Sequence, residues 1–230
     1  CLNNQGTALI TGGTFTSDNR RTYAIISTGK LEITPAEGAE VTVFGAHGAL
    51  SSDGGTAVVN GGSYTSTEYY GLYVSNDGRN SETMQAAVTV NGGTFDGKTY
   101  SVWIGSDVND PVNSTILITG GTFLDPLNRQ DVAREDAIVI TGGTFSVAPP
   151  AEFYPEGYLP VLTEEGTYEV SDTAAVASVT TESGTIGYPS LAAAVNANRQ
   201  GQTITLLKDL ENQGAITIWS AGQETVIDLN

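Results

Sequence analysis

The sequence predicts an all-β protein, a right-handed parallel β-helix, and three observations carry that prediction. The tetrad Gly-Gly-Thr-Phe stands at residues 12–15, 92–95, 120–123 and 142–145, with a relaxed copy, Gly61-Gly62-Ser63-Tyr64. Each copy follows a short alternating apolar run: Ala8-Leu9-Ile10, Ala57-Val58-Val59, Val88-Thr89-Val90, Ile116-Leu117-Ile118 and Ile138-Val139-Ile140. A second strand recurs several residues after the corner, as Tyr23-Ala24-Ile25-Ile26-Ser27, Tyr70-Gly71-Leu72-Tyr73-Val74 and Tyr100-Ser101-Val102-Trp103-Ile104. One such unit cannot bury its own apolar face, whereas stacked units share a continuous core. An antiparallel sandwich has no reason to repeat one corner.

Side chains alternate along a strand, so the uniformly apolar pairs Ala8/Ile10, Ala57/Val59, Val88/Val90, Ile116/Ile118 and Ile138/Ile140 face inward. The next outward positions are Thr11, Asn60, Asn91, Thr119 and Thr141. The glycine pair turns the chain through a conformation closed to residues with a β-carbon. Beyond the turn, Phe15, Tyr64, Phe95, Phe123 and Phe145 are expected to stack inside, with Thr14, Ser63, Thr94, Thr122 and Thr144 outside. Successive corners are 49, 31, 28 and 22 residues apart. The shortest interval fits one three-sided coil, and the middle two fit a coil with insertions. The longest fits two coils, the extra one carried by Leu31-Glu32-Ile33 and Val41-Thr42-Val43.

After Phe145 three prolines, Pro149, Pro150 and Pro155, break the strand register. Leu159-Pro160-Val161-Leu162 and Gly166-Thr167-Tyr168-Glu169-Val170 read as a hairpin closing the solenoid, so the first domain spans residues 1–171. Residues 172–230 read as the start of a second β-helix module. Short strands run to Tyr188, followed by a short capping helix over residues 190–197, N-capped by Ser190, with Leu191, Ala194 and Val195 on one face. Strands are expected at residues 203–207, 215–218 and 225–229.

The 230 residues include 26 acidic and 9 basic side chains, for a net charge of −17. That balance opposes nucleic-acid binding and docking on anionic lipid, and favours a well-hydrated surface that attracts cations. No apolar run is long enough to span a bilayer. The single cysteine, Cys1, excludes an internal disulfide. It matches the processed start of a bacterial lipoprotein, but no polar tether follows it, so an internal cut in a longer chain is the favoured reading. Few cysteines and lysines among many Thr, Asn and Gly is a composition associated with secreted bacterial repeat proteins.

The corners at residues 118–123 and 140–145, the ending Tyr154-Pro155-Glu156-Gly157-Tyr158, and the segments at residues 188–197, 201–209 and 227–230 resemble one kind of module. It is the β-helix repeat of large, adhesin-like surface proteins of gut Gram-positive bacteria. The resemblance covers nearly the whole chain. It implies a pectate-lyase-like solenoid at the extracellular bacterial cell surface, acting as a non-enzymatic adhesin or stalk. It further implies neighbouring modules of the same protein stacked at both ends, and a host or microbial surface glycan or protein as partner. It supplies no catalytic residues.

Parallel β-helices also host polysaccharide lyases and hydrolases, so a glycan-binding or glycan-cleaving β-helix is the alternative. The one histidine, His47, lies in a glycine-rich turn without a paired-Asp motif, a setting that is ordinarily structural. Asp107, Asn109 and Asp110 gather hard oxygen ligands of the kind calcium takes, although a solvated insertion is the plainer reading. Residues 129–136 form a second charged loop, read as solvated. No phosphate loop, zinc spacing, nucleophile elbow or other cofactor motif occurs. With Ile25, Leu72 and Val102 inward, Ile26, Tyr73 and Trp103 turn outward. Tyr73 and Trp103, with Tyr69 close by, would then offer rings that stack on sugars, unless the insertion at residues 75–85 folds over them.

Overall fold

The computed structural model describes all residues except 77–84, 107–111, 199–200, 211–215, 217, 219–224 and 229–230. The chain divides into two compact units, residues 1–155 and 156–230.

In the first unit the alternating runs form strands, and the glycine corners deliver each strand to the next wall of a coil. The coils run β1 (Leu2–Asn4), β2 (Thr7–Ile10) and β3 (Gly13–Ser17); then β4 (Tyr23–Ser27), β5 (Lys30–Ile33) and β6 (Val41–Gly45). In the third and fourth coils one long strand serves two walls: β7 (Gly48–Asp53) with β8 (Gly55–Ser66), and β9 (Tyr70–Ser75) with β10 (Ala86–Asp96). The last two are β11 (Tyr100–Ile104), β12 (Thr115–Ile118) and β13 (Thr122–Phe123), then β14 (Leu127–Arg129), β15 (Ile138–Ile140) and β16 (Thr144–Phe145). A short 3-10 turn, Ala151–Phe153, follows and buries Phe153.

Every strand pairs in parallel with its equivalent one coil away, so this unit is a parallel β-solenoid. One wall is the six-stranded sheet β1-β4-β7-β9-β11-β14. The coil without a glycine corner is the one at β5 and β6, where residues 34–40 make the turn. There Ala36 N donates to Thr11 O and Gly13 N to Glu40 O, both at 2.8 Å.

The inward rows are those the alternation predicts. Leu31, Ala57, Val88, Ile116 and Ile138 fill one, and Ile33, Val59, Val90, Ile118 and Ile140 the next. Across the corner, Tyr64, Phe95, Phe123 and Phe145 stack at 4.7, 5.2 and 4.9 Å between ring centroids, within 9° of parallel. Phe15 does not join them. Its register neighbour is Val43, in the coil that lacks the corner, so among the described residues no ring lies against it, and it stays half-buried.

The two corner glycines serve different needs. The second adopts a left-handed backbone, φ +105° at both Gly93 and Gly121. The first packs against the coil before: a β-carbon on Gly120 would sit 2.4 Å from the Asn91 carbonyl oxygen. Just before the corner, the outward polar positions are joined from coil to coil. Thr119 Oγ1 donates to Asn91 Oδ1 (2.6 Å), Asn91 Nδ2 to Asn60 Oδ1 (2.7 Å) and Asn60 Nδ2 to Thr34 Oγ1 (2.8 Å). Thr34 Oγ1 in turn donates to Glu32 Oε1 at 3.2 Å.

The second unit begins with the antiparallel hairpin β17 (Leu159–Leu162) and β18 (Tyr168–Ser171). The contacts therefore group residues 156–171 with the later segment, whereas the sequence reading places that hairpin in the first domain. A second antiparallel hairpin follows, β19 (Ala177–Thr181) and β20 (Gly184–Tyr188), then α1 (Leu191–Ala197), β21 (Ile204–Leu206) and β22 (Ile227–Asp228). Ser190 Oγ accepts the Ala193 amide at 3.1 Å, the expected N-cap. Leu191, Ala194 and Val195 pack with Ala177, Val179, Tyr188 and Ile204 in one core. Parallel pairing of the kind expected of a further solenoid joins β17 to β20 and β21 to β22, whereas β19 meets β20 and β21 antiparallel. Of the strand expected at residues 215–218, positions 215 and 217 lie outside the described residues. No helix among the described residues is long and apolar enough to cross a membrane.

Candidate functional site

The outer face of the six-stranded wall carries a connected group of aromatic side chains, and small residues at a bend put them there. In β4, β7, β9 and β11 the second position is Ala24, Ala49, Gly71 and Ser101 in turn, all buried where the wall meets the preceding corner. Ser101 Oγ donates to Phe95 O at 2.7 Å and accepts the Asp125 amide at 2.8 Å, which pins the bend. The bend interrupts strict alternation. Both the position before the small residue (Tyr23, Gly48, Tyr70, Tyr100) and the position three residues on (Ile26, Ser51, Tyr73, Trp103) face out, while Ile25, Leu50, Leu72 and Val102 are fully buried.

The outward rings form one connected network. Tyr23 stacks on Tyr73 (5.5 Å between centroids), Tyr73 on Tyr70 (5.6 Å), Tyr70 on Trp103 (5.9 Å) and Trp103 on Tyr100 (5.0 Å), all within 25° of parallel. A side branch runs through His47, edge-on to Tyr23 at 5.1 Å and tilted against Tyr69 at 4.8 Å. Tyr69 closes the branch against Tyr70 at 5.8 Å. The histidine is fixed by Nδ1 against the Arg20 carbonyl oxygen (3.1 Å). Ser66 Oγ accepts the Tyr69 amide and donates to His47 O at 2.9 Å, so one hydroxyl holds both sides of the branch.

Of the three predicted glycan-binding residues, the structure brings Tyr69, Tyr73 and Trp103 into this one network but gives them different access. Tyr69 is 42% exposed, whereas Tyr73 is only 5% exposed. Tyr73 is a correction to the expected open strip: Tyr23 and Tyr70 stack on it, and its hydroxyl donates to Gly105 O at 3.4 Å. Trp103 is half-buried, like Tyr23, His47, Tyr70 and Tyr100. Sequence reasoning missed Tyr23, Tyr70, Tyr100 and His47 as members. The recurring Tyr at the strand start was the available signal, but alternation alone assigns it to the inner face with Ile25, Leu72 and Val102.

Asp107, Asn109 and Asp110, the predicted calcium cluster, lie outside the described residues. Among the described residues no group of three or more His, Cys, Asp or Glu side chains is placed to hold a metal ion. In the second charged loop Arg134 Nη2 pairs with Asp136 Oδ2 at 2.6 Å, and that hydrogen bond with the guanidinium holds the Asp136 carboxyl below its ordinary range. Arg129 Nη1 donates to the Ala133 carbonyl at 3.2 Å. Glu68, next to Tyr69 in the chain, is ion-paired with Arg20 at 3.1 Å. These groups are engaged with one another or with backbone. The band offers ring surfaces and tyrosine hydroxyls.

No family model, curated protein or solved structure matches the chain.

Proposed function

We propose that the chain is a non-enzymatic segment of a secreted or cell-surface bacterial repeat protein, serving as an adhesin or stalk. The observation that supports it best is the coil-to-coil continuity of the first unit. The same inward rows, the same ring stack and the same outward amide chain pass from one coil to the next, which makes a stiff, extended scaffold. The acidic, low-cysteine composition suits an extracellular setting. Antibodies raised against the chain should label intact cells of its source bacterium. Incubation with neutral and acidic polysaccharides, with and without calcium, should release no new reducing ends and no unsaturated uronate. Polysaccharide cleavage by the purified chain would overturn the non-enzymatic reading.

One observation favours a second reading, glycan binding by the solenoid: the exposed Tyr69 and half-buried Trp103 and Tyr100 lie together on one wall. On a glycan array, Trp103→Ala and Tyr69→Ala should each weaken a hit of the parent protein. Binding that survives both substitutions removes this reading.

A further inference from the structure

Asn60 and Asn91, the two amides at the centre of the outward chain, are each followed by glycine, Gly61 and Gly92. Asn-Gly is the pair most open to spontaneous deamidation, because glycine has no β-carbon to hinder its own nitrogen. That nitrogen attacks the asparagine Cγ and a new N–C bond forms. The Cγ–Nδ2 bond breaks, and ammonia leaves with the proton from the glycine nitrogen. Water then opens the succinimide to aspartate or isoaspartate. Both asparagines are exposed, so solvent reaches them.

We infer that the chain Thr119–Asn91–Asn60–Thr34 guards two latent modification sites, holding Asn60 and Asn91 against succinimide formation, and that Asn60–Gly61 opens when the Thr34 link is lost. Three features carry this. Both asparagines lie within strands, β8 and β10, whose extended backbone keeps the following nitrogen away from Cγ. Each side-chain amide is held at both ends: Asn60 donates to Thr34 and accepts from Asn91, and Asn91 donates to Asn60 and accepts from Thr119. Attack must rotate the amide and break those bonds. The first corner glycine also has no slack: a β-carbon on Gly92 would sit 2.8 Å from the Asn60 carbonyl oxygen, so the backbone here is packed against the coil before.

The chain has a direction, which predicts unequal consequences. Every donor points toward the N-terminal coil and ends on Glu32. Deamidation of Asn91 puts a carboxylate oxygen against Asn60 Oδ1, two acceptors face to face. Deamidation of Asn60 instead leaves Thr34 able to turn its hydroxyl onto the new carboxylate and give up Glu32.

The test is peptide mapping by mass spectrometry after incubation in isotopically labelled water at mildly alkaline pH. In the folded full chain, Asn60 and Asn91 should deamidate at least about tenfold more slowly than in the same chain in denaturant, on the scale of the hydrogen bonds broken. Thr34→Val should raise the Asn60 rate about fivefold to tenfold and change Asn91 little, and Thr119→Val should do the reverse. Circular dichroism checks that each variant is folded. Equal rates in folded and denatured parent protein overturn the inference whatever the variants do. So does a folded Thr34→Val that leaves Asn60 as durable as before.

Discussion

Tyr23 stacks on Tyr73 at 5.5 Å although a whole strand, β7, lies between their strands in the sheet. Gly48, the register partner of Tyr23, makes this possible: a β-carbon there would sit 2.2 Å from Tyr23 Cε1. The ring covers the glycine and reaches the next coil but one, and Tyr73 is buried as a result. Gly48→Ala should push Tyr23 off Tyr73 and cost the stack, about 0.5–1.5 kcal/mol. Near-ultraviolet circular dichroism should lose amplitude, and Tyr73 should become reactive to a tyrosine-nitrating reagent. An unchanged spectrum with Tyr73 still protected would show that the ring has another route over the wall.

The inner stack should be unevenly sensitive. Phe123 has a ring on both sides and is fully buried, so Phe123→Ala should cost about 3–5 kcal/mol in denaturant unfolding. Phe15 is half-buried beside Val43, and Phe15→Ala should cost markedly less. Equal losses would contradict the placement of Phe15 outside the stack.

At the corner, neither glycine should tolerate alanine, for two separate reasons. Gly121→Ala strains a backbone at φ +105°, and Gly120→Ala drives a methyl into the Asn91 carbonyl at 2.4 Å. Gly6, with open space around it and no left-handed backbone, is the control: Gly6→Ala should leave the unfolding midpoint nearly unchanged.

Burial holds the Tyr64 hydroxyl protonated well above the ordinary tyrosine range. In the unfolded chain the same group ionises near pH ~10. Above that pH the unfolded state binds fewer protons than the folded one, so this contribution to stability is complete below about pH 10 and falls as pH rises. Tyr64→Phe should flatten the alkaline limb of a stability–pH curve. At neutral pH it should lose about 1 kcal/mol, because the hydroxyl donates to Gly61 O at 2.8 Å. Equal alkaline slopes in both proteins would count against the buried hydroxyl as the cause.

In the second unit, Ser190→Ala should cost about 1 kcal/mol by removing the acceptor of the Ala193 amide, and Ser190→Asp should retain most of it. Because the helix packs its Leu191, Ala194 and Val195 face on β19, β20 and β21, helix and strands should melt together. A separate early transition for the helix would show that its packing is weaker than its burial suggests.

The sequence by itself determined the solenoid. Alternating apolar pairs, a glycine corner and an aromatic recur in one order, and each is a local instruction: which face is in, where the backbone turns, what fills the corner. Even the coil without the glycine-pair corner was legible, from Leu31, Ile33, Val41 and Val43 and the doubled spacing around them. Tertiary structure decided the outer surface. The small residues at the wall bend moved Tyr23, Tyr70 and Tyr100 outward, and Gly48 let Tyr23 bury Tyr73. Coil register turned Asn60 and Asn91 into members of one directed chain. Inward positions are fixed by alternation along a strand, whereas an outward side chain takes partners from its own strand, as Tyr70 does with Tyr73, and from coils 20 or more residues away in sequence. That choice depends on register and on the space a neighbour leaves, and no local pattern encodes either one.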